Sequence, residues 1–217
     1  MQNETVNTPI YSTLQQGFNG RLEARDIGFR YGRNGPWVLK DVNFTLEPGE
    51  IVGLIGASGR GKTTLCKILA GYEAPIEGAV TIGGADIPNK GYHPVQLVFQ
   101  HPEKVVNPRW KMEKVLNEGW RPDNTVLQSL GIEQEWLSRW PNELSGGELQ
   151  RFCVARAMGP NTRFLIADEM TAMLDAITQA QIWHAVLEIA RSRKMAILVV
   201  SHEAKLIQRL CHRVIEI

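Results

Sequence analysis

Short runs of mainly apolar residues recur along the chain, and each predicts a buried strand. The runs are residues 51–55, 95–99, 164–167 and 196–200. The helical spacing of Leu65, Ile68 and Leu69 predicts a helix soon after the first run, and a longer helix is predicted at 177–193. Strands that alternate with helices in this way predict an α/β fold with a mainly parallel core sheet.

The segments around this core have different patterns. Residues 21–50 alternate apolar and polar positions and contain Pro-Gly at 48–49, which predicts an antiparallel β lobe. Residues 1–20 are polar, so we expect a flexible N-terminal tail. The stretch at about 102–159 is rich in helix formers and predicts a helical subdomain inserted into the core. Four of the six tryptophans lie in this stretch. They would form either the core of the subdomain or an exposed surface that contacts a partner protein.

Composition and charge exclude several classes of protein. The 24 basic and 23 acidic residues nearly cancel, so no global field attracts nucleic acid, and we expect no nucleic-acid partner. The three cysteines show no CxxC spacing, which argues against a zinc site and a disulfide framework and favours a reducing cytosol. No window approaches the roughly 18 apolar residues of a membrane span. We therefore expect membrane contact only through a partner protein.

A phosphate-binding loop follows the first apolar run. Residues 56–63 read GASGRGKT, in which glycines allow the backbone amides to converge on phosphate oxygens. A glycine turn that merely starts a helix is the alternative, and the motif alone also fits kinases and GTPases. The candidate ligand residues are Gly56, Ala57, Ser58, Gly59, Arg60, Gly61, Lys62, Thr63 and Thr64. Among them, Thr63 is the expected Mg²⁺ ligand.

Two carboxylates follow the third apolar run. Asp168 should project from the carboxyl end of a buried strand, where ligands bind in open α/β sheets, and is the expected carboxylate for Mg²⁺, bound directly or through water. Glu169 is the candidate general base that polarises an attacking water. The alternative is a solvated turn. His202 follows the last run at the equivalent position, although a lone histidine is more often structural.

A helix start provides a second candidate anion site. Residues 144–148 read LSGGE, and Ser145, Gly146 and Gly147 precede a segment with good helix propensity. The free amides and the serine hydroxyl would form an anion-binding cap. A simple N-cap with a glycine hinge is the alternative reading.

With GASGRGKT, LSGGELQR and FLIADE in this order, residues 21–217 resemble the ATP-binding subunits of ABC transporters. The resemblance implies a single ABC ATPase domain that binds ATP and Mg²⁺, and a head-to-tail pair in which the cap at Ser145 completes the partner's ATP site. It also implies roles for four other residues. Gln100 would contact Mg²⁺ and the attacking water, His202 the γ-phosphate, and Tyr31 the adenine, while Asp175 would communicate between the two sites.

Two features refine the resemblance. Where the family usually reads DEPTSALD, this chain has Met170 in place of Pro and Ala172-Met173 in place of Ser-Ala, so we expect active chemistry with altered subunit contacts. The segment VFQHPEKVVNPRW, through Asn107, Pro108 and Arg109, is similar to the dipeptide, oligopeptide and nickel importer branch.

The resemblance thus implies an ATPase subunit that powers import of a peptide or nickel-type solute. It would lie in the cytoplasm on the inner face of the membrane, bound to permease subunits and to a second ATPase subunit, either a copy or a paralogue. The alternatives are a soluble ABC ATPase without a transport role, an ATP-binding clamp that does not hydrolyse ATP, and an exporter subunit.

Overall fold

In the computed structural model, which describes residues 20–87 and 91–217, the N-terminal half contains an antiparallel sheet. Its strands are β1 (Leu22–Phe29), β2 (Leu39–Leu46), β4 (Glu77–Ile82) and β5 (Ala85–Asp86). They are arranged in the order β2-β1-β4-β5. The predicted antiparallel pair is confirmed as β1 and β2, with Leu22 opposite Leu46. The predicted tail lies outside the described residues except for Gly20.

A second sheet, fully parallel, forms the core. Its order is β6-β7-β8-β3-β9, so β3 and β8 are neighbours although they are far apart in sequence. The strands are β3 (Ile51–Ile55), β6 (Val95–Val98), β7 (Phe164–Asp168), β8 (Ala196–Val200) and β9 (Arg213–Glu216). The predicted α/β class and parallel sheet are confirmed. Strand β6 ends one residue earlier than predicted, and the Phe99 carbonyl that follows it accepts a hydrogen bond from the Gln150 side chain.

Six helices connect these strands within the described residues. They are α1 (Lys62–Leu69), α2 (Met112–Leu116), α3 (Asn124–Ser129), α4 (Gly146–Ala157), α5 (Ala176–Arg193) and α6 (Ala204–Leu210). Short 3₁₀ turns at Pro102–Lys104, Gln134–Ser138 and Pro141–Glu143 complete the segment between β6 and β7. None of the helices in the described part of the chain has the length and hydropathy that a membrane span requires.

The parallel sheet separates two hydrophobic clusters, because alternate residues of each strand point to opposite faces. Phe164 and Ile166 of β7 pack with the antiparallel sheet and α1. Leu165 and Ala167, which alternate with them, pack with α4, α5 and the helical segment. Trp110, Trp120 and Trp136 pack partly buried against this second cluster. The helical segment therefore shares its hydrophobic core with one face of the sheet. The subdomain boundaries given above stay a prediction.

Burial suppresses the acidity of the cysteine thiols. Cys66 in α1 and Cys153 in α4 are buried, and Cys211 is half-buried. Desolvation raises the pKa of Cys153 and of Cys211 to about 11, and it raises the pKa of Cys66 well above its ordinary value. At neutral pH these groups stay protonated.

Candidate functional site

The loop between β3 and α1 has the backbone conformation that the GASGRGKT pattern predicts. Gly56, Gly59 and Gly61 have φ angles of 150°, 82° and 91°, in the region that favours glycine. A Cβ atom at Gly61 would lie 2.7 Å from Leu39, whereas one at Gly59 would meet nothing within 4 Å. Residues 57–60 are exposed. The loop is therefore packed at its ends and open along its middle, so a ligand can approach the backbone.

Lys62, the first residue of α1, is held against this loop. Its Nζ donates hydrogen bonds to the carbonyl oxygens of Gly56 at 2.7 Å and Ala57 at 3.0 Å. The side chain is almost fully buried although it carries a charge. Its positive charge is thereby confined to the phosphate loop, where it would attract an anionic ligand.

Asp168 lies at the carboxyl end of β7, as predicted, and is buried. Burial raises the pKa of its carboxyl group above the ordinary value, and the negative charge of Glu169 raises this pKa further. A hydrogen bond with the Thr63 side chain and the charge of Lys62 act in the opposite direction. A carboxylate and a hydroxyl group thus meet at the phosphate loop. This donor set fits Mg²⁺, which prefers hard oxygen ligands.

Glu169 adopts a strained conformation beside His202. Its φ angle is 50°, in the left-handed region that costs a non-glycine residue of order 1 kcal/mol and is enriched at active sites. Its backbone N–H donates to the Val200 carbonyl at 3.0 Å, which ties it to the end of β8. Oε1 of Glu169 lies 2.9 Å from Nε2 of His202. The structure therefore brings together a carboxylate and an imidazole that are 33 residues apart in sequence.

Ser145 begins α4 with a reciprocal capping box. Its Oγ accepts from the Glu148 N–H at 3.3 Å, and its own N–H donates to Oε2 of Glu148 at 2.7 Å. A Cβ atom at Gly146 would meet nothing within 4 Å, so the first turn of the helix is open to an approaching group. This cap forms one wall of a cleft of about 460 Å³, which Gln100 and Asp175 also line.

Asp175 serves as the N-cap of α5. Its Oδ1 accepts from the backbone N–H groups of Ile177 and Thr178, both at 3.0 Å. Hydrogen bonding from Thr178 is the main cause that lowers the pKa of Asp175. The residue therefore fixes the start of α5 beside the cleft.

Tyr31 lies over the start of α1. Its hydroxyl oxygen is 3.3 Å from Oγ1 of Thr64, and its ring meets Phe29 edge to face at a centroid distance of 5.0 Å. The side chain of Tyr31 is 55% exposed, so a planar ligand can reach the ring. Thr64 is buried and directed to Tyr31; its predicted phosphate contact stays a prediction.

The predicted residues fall into two groups. One group lies at the carboxyl ends of β3, β7 and β8 and at the start of α1; it consists of the phosphate loop, Thr63, Asp168, Glu169, His202 and Tyr31. The other group lines the cleft and consists of Gln100, Asp175 and the cap at Ser145. Gln150, which sequence reasoning missed, is fully buried and links α4 to the strand that precedes Gln100. Sequence reasoning also missed the hydrogen-bonded residues Thr171, Gln179 and Glu203.

Comparisons with known proteins give a consistent result. A family profile described as "ABC transporter" matches residues 39–172. The chain is 35% identical over 199 residues to the nickel import ATP-binding protein NikE of Rhodospirillum rubrum, covering 82% of this chain and 71% of that protein. It is 33% identical over 207 residues to the nickel import system ATP-binding protein NikE of Staphylococcus aureus, covering 89% and 85%.

Solved structures share the fold. The dimeric structure of MJ0796, a bacterial ABC transporter cassette, superposes with a TM-score of 0.75 at 24% identity, covering 90% of this chain and 94% of that one. The structure of cbiO1 from Clostridium perfringens, part of the ABC transporter complex cbiONQ, gives a TM-score of 0.74 at 21% identity, covering 92% and 84%. At these identities the likeness concerns the fold alone.

Proposed function

This chain belongs to the ABC transporter family, and on that premise we propose that it is the ATP-hydrolysing subunit of a nickel importer. The observation that carries the hydrolytic role is the 2.9 Å contact between Glu169 and His202 beside the buried Asp168. The two nickel import relatives, each matched over most of its length, support the choice of nickel. A peptide solute is the alternative within the same branch.

The residues at the strand ends have complementary roles in the proposed reaction. Amides of the phosphate loop and Lys62 bind the phosphates of ATP, and Tyr31 stacks on the adenine. Thr63 and Asp168 hold Mg²⁺, with Gln100 as a further candidate ligand; when bound, this ion neutralises charge on the phosphates.

Glu169 is placed to accept a proton from the attacking water. His202 holds the Glu169 carboxylate in place through the 2.9 Å contact, and it would contact the γ-phosphate of bound ATP. The strained backbone of Glu169 supports this assignment, since the residue is held where its conformation alone would not place it.

We propose that two chains of this type, identical or paralogous, enclose ATP between them. The cap formed by Ser145, Gly146 and Gly147 lines a cleft that does not include the phosphate loop, and its first turn is open at Gly146. It would therefore bind the γ-phosphate held by the partner's phosphate loop, with Asp175 nearby. The dimeric form of the MJ0796 cassette supports such a pair.

A groove of about 550 Å³ is our candidate for the permease contact. Tyr72, Phe99 and Val105 provide apolar surface, and Glu118 and Arg156 form an ion pair at 2.8 Å on its wall. Because the groove adjoins the strand that precedes Gln100, a permease segment bound there would sense changes at the ATP site. In this proposal the chain lies at the cytoplasmic face of the membrane, bound to its permease subunits.

The decisive experiment measures ATP hydrolysis and size-exclusion mass for the wild type and for Glu169→Gln in saturating Mg-ATP. We expect turnover to fall by about 10²- to 10⁴-fold with an ATP-dependent dimer retained. Glu188→Gln, an exposed residue of α5 that pairs with Arg191, is the matched control and should leave turnover unchanged. Unchanged turnover in Glu169→Gln would refute the role of the base. ATP binding without hydrolysis in the wild type would favour the clamp.

The nickel assignment needs its own measurement. Cells that express the chain with its permease subunits should accumulate radioactive ⁶³Ni²⁺, and the Glu169→Gln variant should abolish this uptake. Uptake of a labelled dipeptide instead of nickel would select the peptide alternative.

A further inference from the structure

Gln179, in the first turn of α5, bridges two loops that are distant in sequence. Its Nε2 donates to Oγ1 of Thr171 at 3.1 Å and to Oε1 of Glu203 at 3.0 Å. Thr171 lies in the loop that follows β7, and Glu203 lies in the loop that follows β8. One amide group thus satisfies an acceptor on each loop with its two N–H donors.

The Thr171 end of this bridge is rigid. Thr171 is buried, and its Oγ1 also accepts a hydrogen bond from Nε1 of Trp183 at 3.1 Å. Trp183 is itself buried in α5, one helical turn beyond Gln179. Two donors from the same helix therefore hold the same hydroxyl group, which fixes the loop after β7 against α5.

Both ends of the bridge lie close to the proposed catalytic pair. Thr171 is two residues after Glu169, and Glu203 directly follows His202. Glu169 and His202 in turn meet at 2.9 Å. The contacts form a closed ring from Glu169 through His202, Glu203, Gln179 and Thr171 back to Glu169.

We propose that Gln179 is a positioning residue that holds these two loops together, so that the Glu169 carboxylate and the His202 imidazole stay in contact. It touches neither the nucleotide nor the attacking water in this assignment. The consequence for turnover rests on the proposed ATPase function. Because Glu169 has a strained backbone, its loop depends on outside contacts of this kind to keep its conformation.

The first test compares Gln179→Leu with Gln181→Leu in the full chain. Gln181 lies on the same helix, but its Oε1 accepts from Arg151 at 2.6 Å, on the side of α4. We expect Gln179→Leu to lower kcat about tenfold while KM for ATP stays within about twofold, a size typical of residues that modulate coupling. The Gln181→Leu control should stay within about twofold on both values. A kcat of Gln179→Leu equal to that of the control would overturn the proposal.

An exchange of Glu and Gln between positions 179 and 203 tests whether Gln179 acts through its hydrogen bond to Glu203 or only through packing. Gln179→Glu alone would place two carboxylates at hydrogen-bond distance, and kcat should fall at least as far as in Gln179→Leu. Adding Glu203→Gln reverses donor and acceptor, so the double variant should recover kcat to within about twofold of the wild type. If the fall in kcat of the double variant equals the product of the falls in the two single variants, Gln179 does not act through Glu203.

Denaturant unfolding of the wild type, Gln179→Glu, Glu203→Gln and the double variant distinguishes this inference from the proposed function. If the wild type does not hydrolyse ATP, the proposed ATPase function fails. The Gln179–Glu203 link is then judged from the unfolding midpoints, where the double variant should be more stable than the sum of the single effects. Strictly additive midpoints would refute the link.

Discussion

A Cβ atom added at Gly147 would lie 3.1 Å from Cγ2 of Thr178, so the cap of α4 packs directly on the first turn of α5. The neighbouring Gly146 has open space instead. The two glycines of the same motif therefore serve different purposes, one in packing and one in access.

This difference gives the first prediction. Gly146→Ala should change the free energy of unfolding by less than about 0.5 kcal/mol, yet reduce ATP-dependent dimerisation and turnover at least about tenfold, because the added methyl group obstructs the partner's phosphate. Gly147→Ala should destabilise the chain by about 1 kcal/mol, since Thr178 must move. Denaturant unfolding and size-exclusion mass in Mg-ATP would measure both effects. If Gly146→Ala dimerised as well as the wild type, the open cap would not be a ligand site.

The second prediction concerns adenine binding. Tyr31→Ala removes the exposed ring, and KM for ATP should rise about five- to tenfold with kcat unchanged. Tyr31→Phe removes only the hydroxyl group that faces Thr64 and should keep KM within about twofold. Nucleotide titration of both variants is sufficient. If KM for ATP were the same in Tyr31→Ala and Tyr31→Phe, Tyr31 would not stack on the adenine.

The third prediction follows from Asp168. Burial raises the pKa of this carboxyl group, so a proton competes with Mg²⁺ at a higher pH than it would at an ordinary aspartate. Affinity for Mg²⁺ should therefore weaken as the pH falls, and Asp168→Asn should lower it about tenfold at neutral pH and remove this pH dependence. Calorimetric titration of Mg²⁺ with bound nucleotide, at several pH values, would measure it.

The same shift has a consequence for stability. Because the folded-state pKa of Asp168 is raised, its contribution to stability is present at low pH and is lost as the pH rises through that pKa. Asp168→Asn should consequently have a higher melting temperature than the wild type at neutral pH without Mg²⁺. A lower melting temperature would show that the carboxylate is a structural requirement.

The fourth prediction concerns the contact between Glu50 and Arg213, which joins the start of β3 to β9 at 2.6 Å. The pKa of Glu50 lies below its ordinary value of 4.5, mainly because its carboxylate accepts a hydrogen bond from the Arg213 guanidinium. A lowered pKa stabilises the fold above the unfolded-state value, and this stabilisation disappears as the pH falls through the folded-state pKa.

Glu50→Gln should therefore cost about 0.5–1 kcal/mol at pH 7 and nothing at strongly acidic pH. Glu216→Gln, an exposed residue on the same edge strand, is the control and should be neutral. Urea unfolding at the two pH values gives the comparison. A loss that persists in acid would show that the charge of Glu50 is not the cause.

Much of this fold follows from local pattern. The strands at β3, β7 and β8 were predictable, because burial on both faces favours an unbroken apolar run, and only the terminal Asp168 of β7 departs from it. Strands β4 and β5 were not predicted. Strand β4 is largely exposed and contains Gly78, and β5 has only two residues, both exposed, so no apolar run marks either strand.

The positions of the phosphate loop, Asp168 and Glu169 at the ends of β3 and β7 were predictable, because each follows an apolar run directly in sequence. The bridge made by Gln179 was not, because it joins residues 24 positions apart. A polar residue on a helix carries no local sign of such a contact, which depends on how α5 packs beside β8. The strained φ angle of Glu169 was equally hidden, since no local pattern marks the contact of its N–H with the Val200 carbonyl at the end of β8.

The protonated, sheltered thiols of Cys66, Cys153 and Cys211 make this chain a favourable background for spectroscopic labelling. Maleimides and spin labels react with thiolates, which these three residues scarcely form at neutral pH. One cysteine introduced at the exposed Trp140 would then carry a single probe. Inter-probe distances measured with and without nucleotide would follow the approach of two chains without removal of any native cysteine.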